Sequence, residues 1–209
     1  MAAETDEDPA LTEHLAAIWG AYQDARAKEG VALGAETVRQ WPQQGEAWFA
    51  LACCRERIGD LIGADRAFSR AAAVRDDPQP LPYRCSWNRF TRSVERARAA
   101  LPARLISALS EVTLVLADYA EPFQIEGMGD PEIPGLCTGP TRDEVDQPAD
   151  ALTEADGHLS PHIFLFRRAL EHNTSCAEEF DREVTTTLYH ELGHYIGYDE
   201  DGLEELGLG

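Results

Sequence analysis

The stretch that most constrains this chain is His190-Glu191-Leu192-Gly193-His194-Tyr195-Ile196-Gly197-Tyr198-Asp199-Glu200, of the form H-E-x-x-H-x-x-G-x-x-E. Residues four apart share one face of an α-helix, so His190 and His194 can offer two imidazole nitrogens to one metal ion. Glu191 lies about 100° further round the helix, where its carboxylate can reach a water on that ion without being a ligand. Gly197 has no Cβ, so the chain can leave the helix there in a left-handed conformation and fold back. That return brings Glu200 to the metal as a third ligand. Asp199 beside it is the alternative, and spacing favours Glu200. Two histidines and a carboxylate leave the fourth tetrahedral position to water, as in catalytic rather than structural zinc sites. Non-haem iron uses the same ligand set, but H-E-x-x-H on one helix favours a single Zn2+ ion. The bland alternative is a helix with two incidental histidines.

Composition narrows the partners. Acidic residues number 38 against 18 basic ones, a formal net charge of −20, and Lys28 is the only lysine. Nucleic acid and anionic membranes both require basic surface and are excluded as main partners. The 209 residues suffice for one moderate domain or two small ones. Cys53, Cys54, Cys85, Cys137 and Cys176 contain no C-x-x-C pair and are odd in number. They read as reduced, mostly buried residues of a cytoplasmic protein rather than as a disulfide framework or thiolate zinc site. The acidic start Met1–Pro9 has no apolar signal core, and no apolar run reaches the span of a membrane.

Taken in order, residues 1–10 predict a disordered tail and 11–80 an all-α region. Within it, counting Gly45 as position one places Trp48, Leu51 and Ala52 on a first helix, Gly59 at a turn, and Ala64, Phe68 and Ala71 on a second. This stretch, Gly45–Pro78, resembles a tetratricopeptide repeat, with Arg55 and Asp76 departing from the usual aromatic and proline. An offset of 34 residues upstream puts Pro42 at the position of Asp76, so residues 11–44 read as a degenerate earlier repeat, its second helix weakened by Gly30 and Gly34. So few repeats cannot bury their faces alone, and they predict either a protein-partner module or a helical brace. Trp41, Trp48 and Phe68 read as core.

The proline-rich run Asp77–Pro82 marks a domain boundary. Helical spacing covers Ser86–Leu109 with a break at Pro102. Val112–Asp118 and His162–Arg167 read as strands, and Gly135–Thr138 as a short one. Thr141–Gly157 predicts an acidic mobile loop, Ala169–Asn173 a short helix, Ala177–Gly197 the long motif-bearing helix, and Asp201–Leu208 one short helix.

The motif, the strand before it and the following Asp201-Gly-Leu-Glu-Glu-Leu-Gly make residues 84–209 resemble the minimal zincins, small zincin-like metallopeptidases. The resemblance implies an α+β zincin-like domain, a small mixed sheet plus a metal-binding helix, preceded by the tetratricopeptide-like hairpins. It also implies His190, His194 and Glu200 as ligands and Glu191 as general base. No methionine follows His194, so the Met-turn of metzincins is absent. The expected activity is hydrolysis of a peptide or protein substrate. The alternatives are a metal-stabilised binding scaffold acting through its helical repeats, and a zinc hydrolase of a non-peptide amide. Tyr195, Tyr198, Arg167 and Arg168 are equal candidates for oxyanion stabilisation. His162–Arg167 is the expected edge strand for substrate. His158 and His162 read as surface or core histidines, and His14 and His172 carry no signal.

Overall fold

Side-chain caps start two of the four helices in the first third. The computed structural model describes residues 8–128, 132–145 and 160–205, excluding the side chains of Val145, Glu200, Glu204 and Glu205. In α1 (Pro9–Gln23), Asp8 accepts from the Ala10 N–H and Pro9 occupies the first turn, where its missing N–H costs nothing. Of the expected tail at residues 1–10, residues 1–7 lie outside the described residues, and Pro9 and Ala10 belong to α1. Helices α2 (Ala27–Gln40), α3 (Gly45–Arg57) and α4 (Leu61–Ala72) follow. Asp60 caps α4 by accepting from the Gly63 N–H at 3.0 Å.

These four helices form two hairpins offset by 34 residues. The turn between α1 and α2 places Ala25 at φ 56°, and that between α3 and α4 places Gly59 at φ 82°. Gly30 and Gly34 do not interrupt α2. A Cβ at Gly30 would stand 2.5 Å from Cys54 Sγ, and one at Gly34 would stand 3.0 Å from Leu51 Cβ. The two glycines let α2 lie close against α3, and packing overrides their low helix propensity.

Two compact units make up the chain: Met1–Pro82 with Glu121–Pro131, and Tyr83–Ala120 with Glu132–Gly209. The first includes α7 (Pro122–Ile125) besides the two hairpins. In the second, α5 (Trp87–Ala99) and α6 (Ala103–Glu111) lead into β1 (Thr113–Ala117), and Pro102 separates the two helices. Then come β2 (Gly135–Thr138), α8 (Arg142–Val145), β3 (His162–Phe166), α9 (Arg167–His172), α10 (Ala177–Tyr195) and α11 (Glu200–Glu205). Helix α8 falls inside the stretch read as a loop, and 146–157 lie outside the described residues.

The sheet has the order β1-β3-β2. β3 runs parallel to β1 and antiparallel to β2. This corrects the expectation that His162–Arg167 is an edge: β3 is hydrogen-bonded on both sides, and among the described residues β2 is a sheet edge. Gly135 and Cys137 pair with Leu165 and Ile163, which are buried on the core side against α10.

Helix α10 illustrates packing over propensity. Thr185, Thr186 and Thr187 together cost about 2 kcal/mol of helix propensity. Phe180, Val184, Leu188 and Leu192, at four-residue spacing, are fully buried, and each contributes roughly 2 kcal/mol by burial. The stripe outweighs the threonines.

Asp181 ties α10 to α5, its Oδ1 accepting from Ser93 Oγ at 2.5 Å and Arg96 at 2.6 Å, with Arg89 2.7 Å away. Burial pushes this carboxyl up, but hydrogen bonds from Arg89 and Ser93 outweigh it and hold it down at about 2. A depressed pKa contributes stability that is present above the unfolded value of 3.8 and lost as pH falls through about 2. With the group a third exposed, Asp181→Asn is expected to destabilise the second unit by about 1 kcal/mol at neutral pH. The difference from wild type should fade between pH 4 and 2, as read by urea titrations at several pH values.

Candidate metal centre

Helix α10 carries both histidines one turn apart. Their Nε2 atoms lie 2.9 Å from each other, with the rings edge-on at 4.5 Å between centroids. Two nitrogens each about 2.0–2.1 Å from one zinc would stand only slightly further apart, so the pair fits a shared ion. The second nitrogen of His194 fixes its tautomer. Nδ1 lies 3.1 Å from the Tyr198 carbonyl oxygen. A carbonyl only accepts, so Nδ1 carries the proton and Nε2 keeps its lone pair for a metal. Both rings are half-buried.

The turn after the helix follows from Gly197, at φ 96°. Its N–H donates to His194 O at 3.0 Å and that of Tyr198 to Gly193 O at 3.1 Å. These are the two bonds of a Schellman cap, which needs a left-handed residue at this point. The chain then re-enters a helix, α11. Asp199 caps it, Oδ1 accepting from the Gly202 N–H at 3.0 Å. Glu200 is the first residue of α11, and its side chain lies outside the described residues.

Glu191 is 7 % exposed and lies against the edge strand. A Cβ at Gly135 would meet its Oε1 at 2.8 Å and its Cγ at 2.9 Å, besides Thr187 Cγ2 at 2.5 Å. Only glycine at that position leaves the carboxylate its place. Cys137, on the same face of β2, has its thiol pushed up to about 11, by burial first and then by the Glu191 charge. It is therefore a neutral thiol at pH 7, unsuited to thiolate ligation. Cys85 is likewise pushed up to about 12, by burial and then by Glu171.

A family resemblance rests on the same stretch. Residues 109–209 match the model of the zincin-like metallopeptidase family. The match covers β1, the sheet and the whole of α10, so the α+β arrangement and the two-histidine helix both fall within it. Among curated proteins, none matches the chain.

Three of the four oxyanion candidates are otherwise engaged. Tyr195 is buried, and its hydroxyl donates to Glu111 at 3.0 Å. Arg167 donates to Asp118 at 2.7 Å and to the Cys85 carbonyl at 3.0 Å. Arg168 donates to Glu171 at 2.7 Å. Tyr198 is exposed. Of the other histidines, His162 contacts Ser160 O at 2.5 Å and stacks on Phe164. His14 sits 3.1 Å from Thr37 Oγ1, His172 is buried against Glu132, and His158 lies outside the described residues. Sequence reasoning overlooked Gly135 and the Tyr198 carbonyl. A lone glycine opening a four-residue strand was the signal for the former; nothing local marks the latter.

All five cysteines are free thiols. No helix among the described residues is long and apolar enough to cross a membrane.

Proposed function

We propose that the chain is a zinc-dependent metallopeptidase in which His190, His194 and Glu200 hold one ion and Glu191 is the general base. The observation that carries this reading is the 2.9 Å approach of the two Nε2 atoms, with His194 held in the metal-binding tautomer by Tyr198. The match of residues 109–209 to a metallopeptidase family supports it. Asp199 already caps α11, which favours Glu200 as the third ligand.

A zinc ion held there supplies Lewis acidity and lowers the pKa of water towards neutrality. Glu191 accepts the proton of the attacking water and passes it to the leaving amine. Its low exposure keeps bulk water from competing for that proton, and Gly135 gives the carboxylate room beside β2. The substrate is an extended peptide that pairs with the outer edge of β2, where the described residues place no further strand. We take the N-terminal unit as a tetratricopeptide-like module for a protein partner, supported by the 34-residue offset of its two hairpins, and the protein as cytoplasmic.

Elemental mass spectrometry of the purified protein tests the centre. Wild type should hold near-stoichiometric zinc, and His194→Ala should lose it. Wild-type protein that takes up no zinc even when supplied would overturn the proposal. Digestion of a peptide library then tests the activity.

A further inference from the structure

Within the H-E-x-x-H stretch, Gly193 immediately precedes a ligand histidine, and its missing side chain is occupied by another residue. A Cβ built on Gly193 would lie 2.3 Å from Leu203 Cδ2. Leu203 is fully buried although Asp201, two residues before it, is exposed. The leucine side chain is thus seated directly on the backbone of α10, between the two histidines in sequence. Leu203 also closes the first turn of α11, its N–H donating to Asp199 O at 3.0 Å.

Between these two anchor points the chain has little freedom. Its departure from α10 is fixed by the Schellman bonds of Gly197 and Tyr198, and its arrival by Leu203. Glu200 lies between them as the first residue of α11, three residues before Leu203. We infer that Leu203, seated in the gap left by Gly193, is a positioning residue that holds the backbone of Glu200 over the metal-binding helix. The inference rests on Glu200 being the third ligand. It assigns to two apolar positions a role in metal affinity, exerted through the ligand and without contact to the ion.

A purely structural role makes the opposite prediction at Gly193. Glycine to alanine inside a helix ordinarily stabilises it by up to about 1 kcal/mol. Here the new methyl would displace Leu203, and the six-residue α11 would shift as an intact helix while α10, anchored by its buried stripe, stays in place.

The test is equilibrium zinc binding by the full chain, by competition with a chromophoric chelator, for wild type, Gly193→Ala, Leu203→Ala, Leu203→Met and the Gly193→Ala/Leu203→Ala pair. Circular dichroism of the same proteins in EDTA accompanies it. Both single alanine variants should bind zinc about 10- to 100-fold more weakly, the range for residues that orient ligands, with the helicity of the metal-free protein unchanged. Leu203→Met should restore affinity to within a few-fold. The double variant should lose less than the two single losses combined, because the alanine methyl meets no leucine. Unchanged affinity in both single variants beside zinc-binding wild type would overturn the inference. So would a loss of metal-free helicity that parallels the loss of zinc. Wild type that binds no zinc would instead overturn the underlying metallopeptidase reading.

Discussion

Glu191→Gln is expected to keep its zinc and lose about 10³-fold in kcat/KM for peptide hydrolysis. The amide fills the same volume beside Gly135, so the close fit of helix and strand is undisturbed. It cannot accept the proton of the attacking water, and positioned acid–base groups contribute typically 10²–10⁴-fold. Zinc content by elemental mass spectrometry and hydrolysis of a fluorogenic peptide, measured on the same preparation, separate the two effects. A loss below about tenfold with zinc retained would remove Glu191 as the base. Equal zinc content with no hydrolysis in either protein would favour the binding-scaffold reading.

Glu171→Ala should unfold the second unit at far lower urea than wild type, a destabilisation of about 3–5 kcal/mol. Glu171 is fully buried and accepts from three donors: Arg84 at 3.2 Å, Arg168 at 2.7 Å and the Cys85 N–H at 3.1 Å. The Arg168 side chain is itself only 16 % exposed. Removing the carboxylate takes a charged partner from a half-buried guanidinium and the acceptor from a backbone donor together. Glu171→Gln keeps an acceptor for the N–H and should cost less. A urea midpoint for the alanine variant within 1 kcal/mol of wild type would show that the arginines find water instead.

What was legible in the sequence was local. Histidines one turn apart on a helix, a glycine where that helix must end, and the four-residue strand Gly135–Thr138 all follow from spacings of two to four residues. Strand order is a different kind of information. His162–Phe166 has the same apolar run whether it is paired on one side or two, and only partners at 113–117 and 135–138 make it central. The engaged oxyanion candidates were hidden similarly: Tyr195 meets Glu111 across 84 residues and Arg167 meets Asp118 across 49. Gly30 and Gly34 misled for a related reason. Propensity counts their entropic cost, whereas the compensating approach of α3 is a tertiary fact. The contact between Gly193 and Leu203 is near in sequence, yet it involves an absent atom that no residue pattern displays.

The membership of Glu121–Pro131 in the first unit has a practical consequence. The chain enters the second unit at Tyr83, leaves it after Ala120, and returns at Glu132. The first unit is therefore discontinuous, and no single cut separates the two. A shortened protein beginning at Tyr83 would carry 121–131 as an orphaned excursion between β1 and β2. One ending at Pro82 would lack α7. During synthesis β1 is made before the last piece of the first unit, so the first unit is complete only after part of the second has been made.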